Sequence, residues 1–234
     1  NPFNEAKTSA NHSSLGGYHG AKIKRYQELI ENCLSKNLTD MIIVLQNGSK
    51  DLSKFIAVNM LNAQYLKFGD QTNNILHNEH AFGNAWFTEN IISVESPEEE
   101  LAAICSIVNK NTTVMNTKKY NLLQSNYDAA ATITLKTYQP NFLKYSVNNQ
   151  NAGFAVFSEI YYPLGWQATV DGVPTEIKQV NYVLRGLDIP ANSKEVIFKF
   201  KPAAYFIGNK ITAAFSTTVL LILIFGLFKT ITKK

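Results

Sequence analysis

What this sequence has least of is catalytic signature. No glycine loop ends in Lys-Ser/Thr to cradle a nucleotide's phosphates, and no nucleophile elbow is present. Its two cysteines, Cys33 and Cys105, lie far apart and form no CxxC pair. Charge is also scarce, at 17% Asp, Glu, Lys and Arg, and part of the net +4 comes from Lys229, Lys233 and Lys234 at the end of the chain. That balance gives no basic surface for nucleic acid, so no nucleic-acid partner is expected. Repeats and low-complexity runs are missing too. With 45% apolar residues the chain has the material for a packed core, which excludes disorder as the default.

The most telling absence is local. From Ile211 to Phe228 there are eighteen residues with no charge, and eleven of them are Ile, Leu, Val or Phe. On an insertion scale those eleven supply about −3 to −7 kcal/mol, more than Thr212, Ser216, Thr217 and Thr218 take back. Eighteen helical residues rise ~27 Å, and Tyr205, Phe206 and the flanking lysines complete the crossing at the interface. A transmembrane helix over 203–234 with a short basic tail follows, and membrane lipid is its first partner. The chain starts without Met and shows no signal peptide, so it reads as a portion of a longer protein. Lysines flank both ends of the span; those after it sit in a short tail, which favours a cytoplasmic C-terminus and residues 1–202 outside.

Upstream, the period of the pattern divides the chain. Residues 1–126 read as a mixed α/β region. Ile23, Tyr26, Ile30, Cys33 and Leu34 recur at helical spacing within Ala21 to Lys36, and Thr39-Asp40 reads as the cap of a second short helix ended by Asn47-Gly48. A further helical pattern begins at Asp51 or Ser53, runs through Phe55, Ile56, Val58, Met60 and Leu61 and fades at Asn62. Tyr65 to Phe68 reads as a strand closed by Gly69-Asp70, Gln71 to Asn84 as loop, and Ala85 to Val94 as one strand. Ser96-Pro97-Glu98-Glu99-Glu100 starts a helix with Leu101, Ile104, Cys105 and Val108 on its core face. Both cysteines sit at positions suited to burial, as free thiols by expectation, with a disulfide as the alternative.

After residue 127 the period becomes two. Ala131, Ile133 and Leu135 alternate with polar residues, as do Leu143, Tyr145 and Val147. Phe154 to Ile160 is nearly continuous apolar, as in a strand covered on both faces. Asp171-Gly172 marks a two-residue hairpin, and strands follow at Glu176 to Val180, Tyr182 to Leu187 and Glu195 to Lys201. The fold class is α+β, with an antiparallel β-sandwich over 127–202 ahead of the spanning helix.

Two stretches offer binding chemistry. Gly16-Gly17-Tyr18-His19-Gly20 runs into Lys22 and Arg25, which places backbone amides, an imidazole and two cations at one helix start, a setting for an anion. The competing reading is a turn with Tyr18 packed on the core. The second is Phe157 to Trp166, whose Glu159, Tyr161, Tyr162 and Trp166 combine with Asn181, Tyr182 and Arg185 on neighbouring strands. Aromatic faces beside amides and a carboxylate suit sugar stacking and hydroxyl recognition, while the competing reading has these rings packing sheets together. His77-Asn78-Glu79-His80 lacks the spacing of a zinc site and reads as a solvated loop.

Those stretches also carry a resemblance. Gly16-Gly17-Tyr18-His19-Gly20-Ala21-Lys22 with Arg25-Tyr26-Gln27-Glu28-Leu29-Ile30, then Asn59-Met60-Leu61-Asn62, Gly83-Asn84-Ala85-Trp86-Phe87, Phe157 to Pro163, Gly165-Trp166, Asp171-Gly172 and Asn181 to Arg185 resemble, in order, the C-terminal portion of the bacterial YfhO-type membrane proteins. The resemblance implies a polytopic protein with a core like that of the GT-C glycosyltransferases, which take sugar from a polyprenyl-phosphate carrier for cell-envelope polymers. It implies the upstream transmembrane core of the same protein as a partner and an envelope glycan as acceptor. The acidic catalytic residue of such enzymes belongs to an early outer loop of that core, so no catalytic residue and no cofactor or metal is assigned within this chain. A non-enzymatic, membrane-tethered glycan-binding or structural module is the alternative.

Overall fold

The computed structural model describes residues 2–6, 8–18, 20–67, 74–106, 109–121 and 127–232. His19, Phe68 with Gly69-Asp70, Gln71, Val108, Lys233 and Lys234, all named above, lie outside the described residues.

The apolar stripe that begins at Ile23 does not stop where the sequence suggested. Helix α1 (Lys24–Leu29) passes through a π-wound turn (Ile30–Leu34), in which the Ser35 N–H reaches Ile30 O, into α2 (Ser35–Gln46). Thr39 therefore caps nothing: its Oγ1 donates to Ser35 O at 3.1 Å inside the helix, and Asp40 pairs with Lys36 at 2.6 Å. Leu38, Met41 and Leu45 prolong the stripe into the core, and their burial outweighs the preference of Thr and Asp for a helix end. The pattern from Asp51 shortens to α3 (Ile56–Met60), all five residues of which are buried, Asn59 with its side-chain amide donating to Leu52 O at 2.9 Å. Helix α4 (Pro97–Ser106) starts as expected, with the Glu99 N–H donating to Ser96 Oγ (3.2 Å) and the Glu95 N–H to the Glu99 carboxylate (2.9 Å).

The expectation of free thiols is corrected. Cys33 and Cys105 form a disulfide with Cα atoms 5.7 Å apart, tying the helix of Cys33 to α4. Cys33 lies in the core as its stripe predicts, whereas Cys105 is exposed on the rim of α4, so only one of the two positions is buried as expected.

Strands β1 (Tyr65–Lys67) and β2 (Ile75–His77) form a small hairpin, so part of the stretch read as loop is paired. The rest make two sheets. One has the order β3 (Ala85–Thr88), β8 (Gly153–Ile160), β12 (Leu184–Ile189), β11 (Lys178–Val180), β5 (Thr112–Asn116), β4 (Asn90–Val94). The other has the order β10 (Val173–Thr175), β9 (Trp166–Val170), β13 (Glu195–Phe200), β7 (Phe142–Asn148), β6 (Thr132–Gln139). All described pairings are antiparallel except β4 with β5, which α4 connects. The six-stranded sheet draws strands from both sides of residue 126.

The single strand expected over Ala85–Val94 breaks at Glu89, and its halves form opposite edges of the six-stranded sheet. Two peptide units span at most ~7 Å, so those edges meet and the sheet curls. Asn111 O closes the corner, accepting from Thr88 Oγ1 (2.8 Å) and from the N–H groups of Glu89 and Asn90 (2.9 Å each). Strand β8 is covered on both faces, as its apolar run predicts. Phe154 and Val156 enter a core shared with the helices, whereas Ala155 and Phe157 enter a core between the sheets. The turn at Asp171 (φ 48°) and Gly172 (φ 83°) is left-handed at both positions, as a two-residue hairpin requires.

Past Phe200 the chain enters α5 (Ala203–Ile231). Its apolar span, Ala203–Lys229, is 27 residues long and buries nothing against the rest of the molecule. At 1.5 Å per residue it rises ~40 Å, the thickness of a bilayer with its headgroups. The hydroxyls of Thr217 and Thr218 donate to Ala213 O and Ala214 O at 2.9 Å, so neither polar group is left bare on a span-capable helix.

Candidate functional site

The glycine loop is shaped by close backbone approach. A Cβ on Gly16 would stand 2.1 Å from Pro2 O, and Gly17 has φ +130°, so side chains are excluded at both. The Gly17 N–H donates to Pro2 O (2.8 Å) and the Tyr18 N–H to Glu5 O (3.1 Å). Tyr26 Oη clamps the loop from beneath by donating to Leu15 O at 2.6 Å, and burial pushes its phenol up to about 12. Tyr18 does not pack on the core. It is 73% exposed and overhangs two open grooves. The first, of about 520 Å³, is lined by Phe3, Lys22, Lys24, Gln27, Glu28 and Glu31; the second, of about 310 Å³, by Gly16, Gly17, Lys22, Tyr26 and Ser158 among others.

The cations of this loop do not converge on one point. Lys22 Nζ donates to Phe3 O at 2.8 Å. Arg25 turns inward, where its Nη1 donates to Glu100 Oε2 (2.7 Å) and Tyr182 O (3.2 Å) and its guanidinium lies 4.6 Å from the centre of the Tyr182 ring. Glu100 is buried and also accepts from the Tyr182 N–H at 3.0 Å, and Tyr182 Oη donates to Glu28 at 2.6 Å. Burial raises the Glu100 carboxyl above the usual range, against the pull of Arg25. Sequence reading placed Glu100 only as a first-turn acid; no local signal shows a carboxylate that will be buried against a residue 75 positions away.

Asn181 and Tyr182 hold left-handed φ angles of 47° and 68° in the β11–β12 turn. Asn181 pairs with the edge of β5: the Val114 N–H donates to its Oδ1 (2.8 Å) and its own N–H to Val114 O (2.9 Å). It joins strands and is buried. Three motif segments meet at Ser158, whose Oγ lies 2.7 Å from Met60 O and 2.8 Å from Gly83 O.

The remaining candidates gather where the two sheets end. Arg185 is buried, with Nε donating to Ile160 O at 3.1 Å and the guanidinium 4.2 Å from the centre of Trp166. Its Nη1 and the hydroxyl of Tyr145 are buried without a hydrogen-bond partner among the described residues. Glu159 stands near enough to feel Arg185 through space, yet burial outweighs that attraction and raises its carboxyl above the usual range. Tyr161 points to the opposite side, 3.4 Å from Tyr120 Oη and under Lys119, and burial with that contact pushes it up to about 12. Tyr162 is 41% exposed. Glu159, Trp166 and Arg185 are thus brought together; Tyr161 and Asn181 are not part of that group. Among the described residues no cluster of His, Cys, Asp and Glu is arranged to hold a metal ion. Asn78 of the His77–His80 run is buried and donates to Asn59 Oδ1 at 2.8 Å.

Residues 98–212 match the family model described as bacterial membrane protein YfhO. The matched stretch begins in α4 and ends in α5, so it contains Glu100, the sandwich strands β6 to β13 and the start of the span-capable helix. The glycine loop lies upstream of it. No curated protein and no solved structure matches the chain.

Proposed function

We propose that this chain, a membrane protein carrying the YfhO-family domain, is the extracytoplasmic C-terminal portion and last spanning helix of a polytopic glycosyltransferase-like protein, and that it holds a cell-envelope glycan acceptor while sugar arrives from a polyprenyl-phosphate carrier. The groove beneath Tyr18 carries this reading. An exposed aromatic face stands beside the Gln27 amide, the Glu28 and Glu31 carboxylates and the ammonium groups of Lys22 and Lys24. That combination stacks on a sugar ring and exchanges hydrogen bonds with its hydroxyls. The chain's own contribution is then to position the acceptor, lowering the entropic cost of transfer, while the acid or base belongs to the membrane core upstream. A disulfide between Cys33 and Cys105 supports an oxidising compartment for the domain, hence the outer face.

A second reading has its own support. Arg25 and Asn181 are taken up by internal bonds and Arg185 is buried against Trp166, as in a domain that only braces its membrane partner. Tyr18→Ala and Gln27→Ala in the whole protein, reconstituted with a polyprenyl-phosphate-linked sugar and an envelope-polymer acceptor, separate the two. Transfer about tenfold slower at equal protein level, through a raised KM for the acceptor, is the expected result. Unchanged transfer overturns the acceptor role and leaves the bracing role.

A further inference from the structure

From the junction of β13 with α5 we infer that the end of the sandwich around the β8–β9 loop rests on the bilayer as a second, peripheral membrane contact, with anionic lipid headgroups as its partner. This rests on α5 as a span and is independent of the glycan reading. The junction has no slack. The Lys201 N–H donates to Gly165 O at 2.7 Å and the Phe200 N–H to Asn141 O at 2.9 Å, while the Tyr205 N–H already donates to Pro202 O at 3.2 Å in the first helical turn. Gly165 is pressed against this corner, where a Cβ would come within 2.8 Å of the Phe200 ring and 3.0 Å of Pro202. The β8–β9 loop is therefore fixed beside the first turn of α5.

A span of 27 residues, rising ~40 Å, uses up the full bilayer with its headgroup layers. Ala203 then stands at the outer edge of the headgroups, and whatever is fixed beside it stands there too. The side chains at this corner suit that level: Tyr162, Leu164 (65% exposed), Tyr205 and Phe206 are exposed, and the cations Lys199 and Lys201 flank them. Lys201 Nζ lies 5.9 Å from the centre of the Phe206 ring, the pairing of aromatic and ammonium that membrane interfaces select. In water, Leu164 and Tyr162 on this corner leave apolar area uncovered. Against headgroups that area is covered, and each lysine adds attraction to an anionic surface.

Leu164→Cys and, as a control at the far end of the same sheet, Val173→Cys test the inference in the whole chain. Each is reacted with a membrane-impermeant maleimide in detergent and in nanodiscs of phosphatidylcholine alone or with phosphatidylglycerol, with the parent chain as the blank. Val173 is as exposed as Leu164 but follows the turn at Asp171-Gly172, at the other end of β9 from Trp166. The expected result is labelling of Leu164→Cys about tenfold slower in phosphatidylglycerol nanodiscs than in detergent, less slowed in phosphatidylcholine, and Val173→Cys unaffected. Equal rates for Leu164→Cys in detergent and nanodiscs overturn the contact. Equal slowing in both lipids overturns the preference for anionic headgroups.

Discussion

The two cores on either side of the six-stranded sheet are built by different means. Between the sheets, packing is aromatic: Tyr145, Phe157 and Phe198 meet edge to face, with Phe157 5.0 Å from Tyr145 and 4.9 Å from Phe198. On the helical side Phe82 and Trp86 also meet edge to face at 5.1 Å, but polar and covalent joints are added there between residues far apart in the chain. Arg25 reaches Glu100 and Tyr182, Asn78 reaches Asn59, and Cys33 is bonded to Cys105. A sandwich core assembles from strands whose alternation already sorts in from out. Helices without one continuous partner need specific joints to choose their place on a sheet, and buried polar groups are specific because each must find its partner.

The contrast can be broken first at its aromatic centre. Phe157→Ala is expected to cost about 4 kcal/mol of unfolding free energy, as loss of a fully buried ring that two others pack against, followed by near-UV circular dichroism in detergent. A loss below about 1 kcal/mol would show that the sheets do not depend on that cluster. On the helical side Arg25→Ala is expected to cost about 3 kcal/mol, since it strands the buried Glu100 carboxylate. Adding Glu100→Gln should return part of the loss; a double variant no more stable than Arg25→Ala alone would remove the ion pair from the account.

The smallest effect sharpens the comparison at Glu159, the carboxyl beside Arg185 on the sandwich side. Glu159 has its carboxyl raised in the folded chain, chiefly by burial. The folded state therefore holds this proton more tightly than the unfolded one, and stability from Glu159 is greatest below the ordinary glutamate range and falls as pH rises through the folded value. Relative to Glu159→Gln, which does not titrate, the parent should gain about 2 °C in Tm as pH is lowered from 7 towards 4.5. A Tm difference independent of pH would place Glu159 in solvent.

Much of the sandwich was legible beforehand because its signals are local. The alternation at Leu143, Tyr145 and Val147, the unbroken run in β8 and the Asp171-Gly172 turn each depend on neighbours within a few residues. The helical side was less legible. The cap at Thr39-Asp40 was overridden by a stripe whose partner surface comes from elsewhere, and the single strand over Ala85–Val94 broke at Glu89 because its halves serve opposite sheet edges. The candidate site divided the same way. The glycine loop was visible from composition, yet whether Arg25 faces solvent or Glu100 was not, since that choice is made by a residue on α4.

The amino-acid sequence alone determined the span-capable apolar helix, the two-residue period of the sandwich and the glycine loop, because charge-free length, alternation and the lack of a Cβ act within one short segment. Only the tertiary structure decided which cations remain at the groove, that Cys33 finds Cys105, and that the apolar helix α5 leaves the sandwich through a junction with no slack. Each of those is a meeting of segments tens of residues apart, and the free energy that selects it exists only once the chain has folded.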